Sequence, residues 1–236
     1  MIFPRIYATH DQAVTIELGN EIDETINLDV INLKNDIETN PFDGFIECVP
    51  AYSSLTIYFD EKTTSNTVVD EINNRQQALK SESSSSALNK TDVITQRITN
   101  TIIIPVCYDV EFGTDLEWLS DYLKLSIHEI IALHTKEIFR VYMIGFIPGF
   151  AYMGTLPEQL ESPRKATPAS SIPIGSVAIA GKQTGIYPAE VPGGWQIIGR
   201  TPMVMFDKNR NPSSLLKAGD RVQFKAINKQ EFESRP

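Results

Sequence analysis

Hydrophobic and polar positions change rhythm along the chain, and each change marks an element. From Ala13 to Leu18 they alternate, with Ala13, Thr15 and Glu17 on one side and Val14, Ile16 and Leu18 on the other. That is the period of a half-buried strand, and Gly19-Asn20 ends it. From Thr25 the period lengthens: Ile26, Val30, Leu33 and Ile37 follow at spacings of four, three and four, which places them on one helical face until Asn40-Pro41 stops it. Phe45–Val49 and Leu55–Phe59 read as strands joined by Pro50-Ala51-Tyr52-Ser53. A second helix begins near Ser65 and turns Val68, Val69, Ile72 and Leu79 to one side. The stretch Ser81–Lys90, SESSSSALNK, is too polar to order itself by burial and reads as a loop or linker. Thr101–Val106 supplies a last strand, so residues 1 to about 106 predict the order β-α-β-β-α-β of a ferredoxin-like split βαβ unit.

Beyond it, Asp115–Ser120 and Ile127–Thr135 read as two short helices. Asp115 sits where the first helix favours negative charge, and Ser126 with Glu129 forms a capping-box pattern for the second. Ile138–Ile144 returns to strand. From there to Lys225, short apolar runs are separated by corners that glycine and proline make easily. The densest corners lie between Met143 and Trp195: Gly145-Phe146-Ile147-Pro148-Gly149, Pro173-Ile174-Gly175-Ser176 and Pro192-Gly193-Gly194-Trp195. Arg221–Phe224 reads as a closing strand after the turn Leu215–Asp220. The expected fold is therefore α+β, a small α/β domain over residues 1–95 and a β-barrel domain over 96–236.

Charge and composition narrow the chemistry. A net charge of −9 without a basic stripe argues against a nucleic-acid-binding surface. No apolar run approaches the length of a membrane span, and the first residues lack a secretory leader, so the expected address is the cytoplasm. Cys48 and Cys107 form no CxxC pair and read as buried, reduced thiols. His128 and His134 lie six apart, about 240° around a helix, so they cannot chelate one metal together, and no metal site is expected.

His134 stands just before the strand leading into the first corner. It reads either as a histidine complementing a helix C-terminus or as a general acid/base beside the barrel mouth. No phosphate-cradling glycine loop and no GxSxG elbow is present, and Ser176 has no base near it in sequence. Arg164, Lys182 and Arg200 sit in glycine- and proline-rich corners, either as receivers of a carboxylate or phosphate or as solvated cations. Tyr187 and Trp195 read as core corners or ligand platforms, and Gln183 and Thr184 are suited to orienting an amide or carboxylate. The inventory is incomplete for a catalyst acting alone.

Three segments, HTKEIFRVYMIGFIPGFAYMG, SIPIGSVAIAGKQTGIYP and PGGWQIIGRTPMVMFD, closely resemble the family that contains the 5-oxoprolinase B subunit, allophanate hydrolase subunit 1 and the sporulation kinase inhibitor KipI. The resemblance extends upstream through IIIPVCYDVEFGTDLEWL and downstream through LLKAGDRVQF, and is weaker before residue 95. It implies a small α/β N-terminal domain and a cyclophilin-like β-barrel. It further implies direct association with the 5-oxoprolinase C subunit, which carries a homologous barrel, and joint action with the A subunit. Together these hydrolyse 5-oxo-L-proline to L-glutamate with cleavage of ATP, magnesium serving in the assembled complex and no cofactor bound covalently. Alternatives within the resemblance are a KipI-like inhibitor of a sensor histidine kinase and a subunit related to allophanate hydrolase or urea carboxylase. Prolyl isomerase activity by analogy with cyclophilin would rest on fold alone.

Position by position, the resemblance places family motifs on His134, on Phe146, Pro148, Gly149 and Tyr152, on Gly175 and Ser176, on Gln183, Thr184, Tyr187 and Pro188, and on Gly193, Gly194 and Trp195. The expected catalytic residues are His134, Arg164 and Gln183. The expected pocket residues are Phe146, Pro148, Tyr152, Ser176, Thr184, Tyr187, Trp195 and Arg200. One departure stands out. Where family members commonly read PRxxxPR, this chain has Pro163-Arg164 and then Pro168-Ala169, so the second arginine is missing.

Overall fold

A computed structural model describes residues 2–83 and 101–234. The side chain of Leu79 and the serine-rich stretch from Ser84 onward lie outside the described residues. The chain divides into two compact units, Met1–Gln96 and Arg97–Pro236.

In the first unit, β1 (Arg5–His10), β2 (Ala13–Glu17), β3 (Phe45–Pro50) and β4 (Ser54–Phe59) form one sheet in the order β1-β2-β4-β3, antiparallel throughout. Helices α1 (Glu24–Thr39) and α2 (Ser65–Ser83) complete it. Asp23 starts α1 by accepting the Ile26 N–H at 2.9 Å, and Asn40 caps its other end. The expected face, Val30, Leu33 and Ile37, packs on Val14, Ile16, Leu55, Ile57 and Phe59, with Val68 and Ile72 added from α2. Each such side chain contributes about 1.5–3 kcal/mol by leaving water. Asn27 is fully buried in α1, yet its amide donates to Ala51 O and Tyr52 O at 3.2 and 3.1 Å, anchoring the β3–β4 turn.

The expected β-α-β-β-α-β order needs correction. Thr101–Val106 is a strand, but it belongs to the second unit. The place beside β2 that it was to fill is taken by β1, from the opposite end of the sequence. β2, α1 and β3 still form a split crossover with β4 between the two strands. β1 escaped the pattern because only Ile6 among its residues is even half-buried, so an edge strand of this kind shows no alternation.

The second unit is a closed barrel in the order β10-β7-β6-β13-β5-β12-β9. Its strands are β5 (Thr101–Cys107), β6 (Ile138–Ile144), β7 (Ala151–Gly154), β9 (Ser176–Ala180), β10 (Gln183–Ile186), β12 (Gln196–Arg200) and β13 (Arg221–Ile227). A two-stranded ribbon, β8 (Ala169–Ile172) with β11 (Val191–Gly193), stands apart from it. Helices α3 (Leu116–Leu123) and α4 (Ile127–Lys136) precede β6, and a short α5 (Lys229–Glu233) follows β13. The capping box expected at Ser126 and Glu129 is present. Cys48 in the first unit and Cys107 in the second are both buried free thiols.

Strand periodicity sorts the barrel's side chains into two cores. Ala151, Met153, Val177, Ile179, Ile186 and Ile198 join the interior core with Phe139, Val141, Val222 and Phe224, and α3 and α4 add Leu116, Leu119 and Ile130. The alternate positions, Phe150, Ala178, Ala180, Tyr187 and Ile197, form a second cluster with Trp195 and with Ile172 of the ribbon. This outer cluster needs one glycine. A Cβ at Gly185 would stand 2.9 Å from the tip of the Phe150 ring, so the bare backbone there lets the ring lie on the sheet.

Candidate functional site

Phe150 is the hub of the outer cluster. Its ring meets Tyr152, Tyr187 and Trp195 edge to face at 4.8, 5.2 and 5.6 Å between centroids, and Tyr152 meets Trp195 at 5.8 Å. Burial pushes the Tyr152 and Tyr187 hydroxyls above their ordinary range, the Trp195 backbone opposes this at Tyr187, and the Arg164 charge opposes it at both. The exposed Arg164 is thus close enough for its field to reach both rings. Phe146 adds a fourth edge-to-face contact to Phe150 at 5.7 Å but remains 62% exposed. Its φ is +63°, and the Ile147 N–H donates to Gly145 O at 2.7 Å around it, a γ-turn of the rare, strained hand. Pro148 is exposed beside it, and Gly149, at φ +86°, backs onto Phe206.

A cavity of about 190 Å³ with a mixed lining opens in the same unit. Thr114, Lys165, Ser171, Ser176, Arg200 and Glu111 supply its polar lining, while Phe112, Ala169, Ile172, Pro173 and Ile197 make the apolar wall. Asp115 organises one side. Its N–H donates to Ile197 O at 3.0 Å, and its Oδ2 accepts both the Ile197 N–H and Lys165 Nζ at 2.6 Å. The carboxylate expected to serve the start of α3 therefore makes no capping bond and instead fastens α3 to β12. Opposite, Gly175 holds φ +81° in the corner before Ser176, where a Cβ would strike Thr201 O at 2.4 Å. The Ser176 hydroxyl donates to Pro173 O at 2.7 Å, and Arg200 Nε–H donates to Ile174 O at 2.7 Å.

His134 is elsewhere, fully buried in the barrel interior and stacked on Phe224 at 4.4 Å. The Thr184 hydroxyl donates its one proton to Ala178 O at 3.1 Å, so the 2.9 Å contact between His134 Nε2 and Thr184 Oγ1 requires Nε2 to carry a hydrogen. Nδ1 then accepts the Tyr108 hydroxyl at 2.7 Å. Burial holds the ring neutral, lowering its pKa to about 3, and keeps Tyr108 protonated. Both nitrogens are engaged within the protein, which makes His134 and Thr184 a polar tie through the core.

The expected residues therefore fall into three groups. Phe146, Tyr152, Tyr187 and Trp195 gather around Phe150 with Arg164 nearby, Ser176 and Arg200 line the cavity, and His134 and Thr184 meet inside the barrel. Gln183 is half-buried on β10, paired in register with Ala180 and Gly154. Lys182 is exposed and faces Glu161 at 3.5 Å. Thr114, Lys165, Ser171 and Tyr108 were not foreseen. Lys165 had a signal, as the neighbour of Arg164 in the same corner, but its partner Asp115 is distant in sequence. Among the described residues no group of three His, Cys, Asp or Glu side chains can hold a metal ion, and no helix is long and apolar enough to cross a membrane.

Comparison with known proteins places this arrangement. The 5-oxoprolinase B subunit of Bacillus subtilis (strain 168) is 41% identical over 226 residues, which are 95% of this chain and 93% of that protein. The chain belongs to the family of 5-oxoprolinase B subunits. The family described as carboxyltransferase domain, subdomain C and D, matches residues 4–216. Among solved structures, TTHA0988 superposes with a TM-score of 0.77 at 29% identity, covering 96% of this chain but 41% of that one. The conserved uncharacterised protein PH0987 from Pyrococcus horikoshii matches at 38% identity with a TM-score of 0.57, over 97% of this chain and 100% of that one. The position of the missing second arginine is Ala169, which stands on the cavity wall.

Proposed function

We propose that this chain is the B subunit of an ATP-dependent 5-oxoprolinase, a cytoplasmic assembly in which it works with the A and C subunits to hydrolyse 5-oxo-L-proline to L-glutamate. The observation that carries this reading is the 41% identity to a 5-oxoprolinase B subunit, spanning 93% of that relative. Opening the lactam breaks its C–N bond, adds water, and turns a monocarboxylate into a dicarboxylate. The barrel unit supports such a substrate with cations and hydroxyls around a small cavity, while the histidine that could move protons is locked in the core. That division suits a protein that binds and orients while the reaction is completed in the assembly.

The nucleotide does not fit the cavity described. Its volume of about 190 Å³ is below the about 300–1,000 Å³ of pockets that bury a drug-sized ligand, and a nucleoside triphosphate is at least that large. In this reading ATP is held by another member of the assembly, and no step is routed through it here. The test is glutamate release from 5-oxoproline and ATP by the A and C subunits with and without this chain. Glutamate formed only in the complete mixture is the expected result; equal release without the chain overturns the reading.

A further inference from the structure

Arg200 ends β12, and its Nε–H bond to Ile174 O fixes the plane of the guanidinium. No ion pair and no other hydrogen bond engages it among the described residues. The other charges at the cavity are answered within the protein. Lys165 is spent on Asp115, Glu111 is held by Lys229, and the hydroxyl of Ser171 is given to Glu190 behind it. The Thr114 hydroxyl on the cavity lining likewise has no protein partner among the described residues. One oriented cation and one spare hydroxyl thus border a space whose other polar lining groups already have protein partners and whose apolar wall includes Ala169, Ile172, Pro173 and Ile197.

We infer that this cavity is a binding site for a small cyclic monocarboxylate. Arg200 grips the carboxylate through its two terminal nitrogens, Thr114 adds a hydrogen bond, and the ring rests on Ile172, Pro173 and Ile197. A planar guanidinium held at Nε presents a fork that matches a carboxylate in a way a lysine cannot. The carboxylate class follows from the cavity; naming the ring as the 5-oxoproline lactam rests on the function proposed above. Arg200 is then a binding residue for the substrate's non-reacting end, the end that fixes where the lactam carbonyl lies.

The test uses the full chain labelled with ¹⁵N and titrated with 5-oxoproline, or with 2-pyrrolidinone, the same ring without the carboxylate. The expected result is a saturable shift of the Arg200 Nε–H and of the Gly175 and Ser176 amides with 5-oxoproline at millimolar affinity, and none with 2-pyrrolidinone. Arg200→Gln weakens binding by about tenfold or more, and Lys182→Gln leaves it unchanged. Ala169→Phe, which puts a ring into the cavity and keeps Arg200 in the sequence, abolishes it and stands in should Arg200→Gln fail to fold. Absence of a saturable shift, an equal response to 2-pyrrolidinone, or undiminished affinity in either Arg200→Gln or Ala169→Phe overturns the site. Arg200-dependent binding without glutamate release by the assembly would remove the lactam and keep the carboxylate site. Glutamate release indifferent to Arg200→Gln would remove the site and keep the function.

Discussion

His134 Nε2 and Thr184 Oγ1 meet at 2.9 Å although fifty residues separate them, and this bond ties α4 to β10 through the barrel interior. Because burial lowers the His134 pKa from 6.5 to about 3, the unfolded chain binds a proton there that the folded chain refuses. The contribution to stability is full above pH 6.5 and is lost as pH falls toward 3, with a slope approaching about 1.4 kcal/mol per pH unit. Urea titrations at pH 7 and 5 on the native chain and on His134→Gln check this: the native chain loses more stability over that interval than the variant does.

His134→Ala leaves the Tyr108 and Thr184 hydroxyls facing a void beside Phe224. Loss of packing and of both bonds costs about 3–5 kcal/mol. The expected outcome is a large fall in the urea midpoint, so an activity loss in this variant reports folding. A stable, inactive His134→Ala protein would restore a chemical role to the ring.

Gly175 and Gly181 both hold positive φ, at 81° and 55°, but their surroundings differ. A methyl group at Gly175 strikes Thr201 O, whereas at Gly181 it meets nothing within 4 Å. Gly181→Ala costs about 1–2 kcal/mol from backbone conformation, and Gly175→Ala adds a clash worth about 1–3 kcal/mol more. Equal losses in chemical denaturation would refute the difference.

Asp115→Asn keeps an acceptor for the Ile197 N–H but gives up the charge that Lys165 meets. Both side chains are about four-fifths buried, so the pair is partly shielded from solvent. A loss of about 1–2 kcal/mol is expected. A double-mutant cycle with Lys165→Met should recover a coupling of about 1 kcal/mol, and a coupling of zero would dissolve the clamp.

Phe146 keeps a strained backbone while most of its ring stays in water. Phe146→Gly relieves the turn where Phe146→Ala does not, so the glycine variant should be more stable by about 1 kcal/mol. Thermal denaturation of the two variants decides it.

Much of this fold could be read from local patterns. Gly175, Pro173 and the other corners announced the turns, and the spacing of Val30, Leu33 and Ile37 announced α1. What could not be read was partnership across distance. TIIIPV is legible as a strand, but nothing in it says that it lies parallel to Arg221–Ile227 and not beside β2. The cavity was hidden for the same reason. Thr114, Lys165, Ser171 and Arg200 come from four separate segments, and only the closed barrel makes them neighbours. His134 looked available because it precedes a strand; its enclosure depends on Tyr108, Thr184 and Phe224, each contributed by a different strand or strand end.

The pairing of β5 with β13 also bears on how the protein is made. The barrel's first strand waits for its last, Arg221–Ile227, so the ring cannot close on a ribosome until the chain has emerged past Ile227. Until then the apolar flank of Ile102, Ile104 and Val106 lacks a neighbour. The first unit closes its own sheet entirely from residues 5–59 and can be folded by that time. Synthesis of this chain therefore passes through a state with one finished unit and one open sheet edge, the interval in which a chaperone has most to protect.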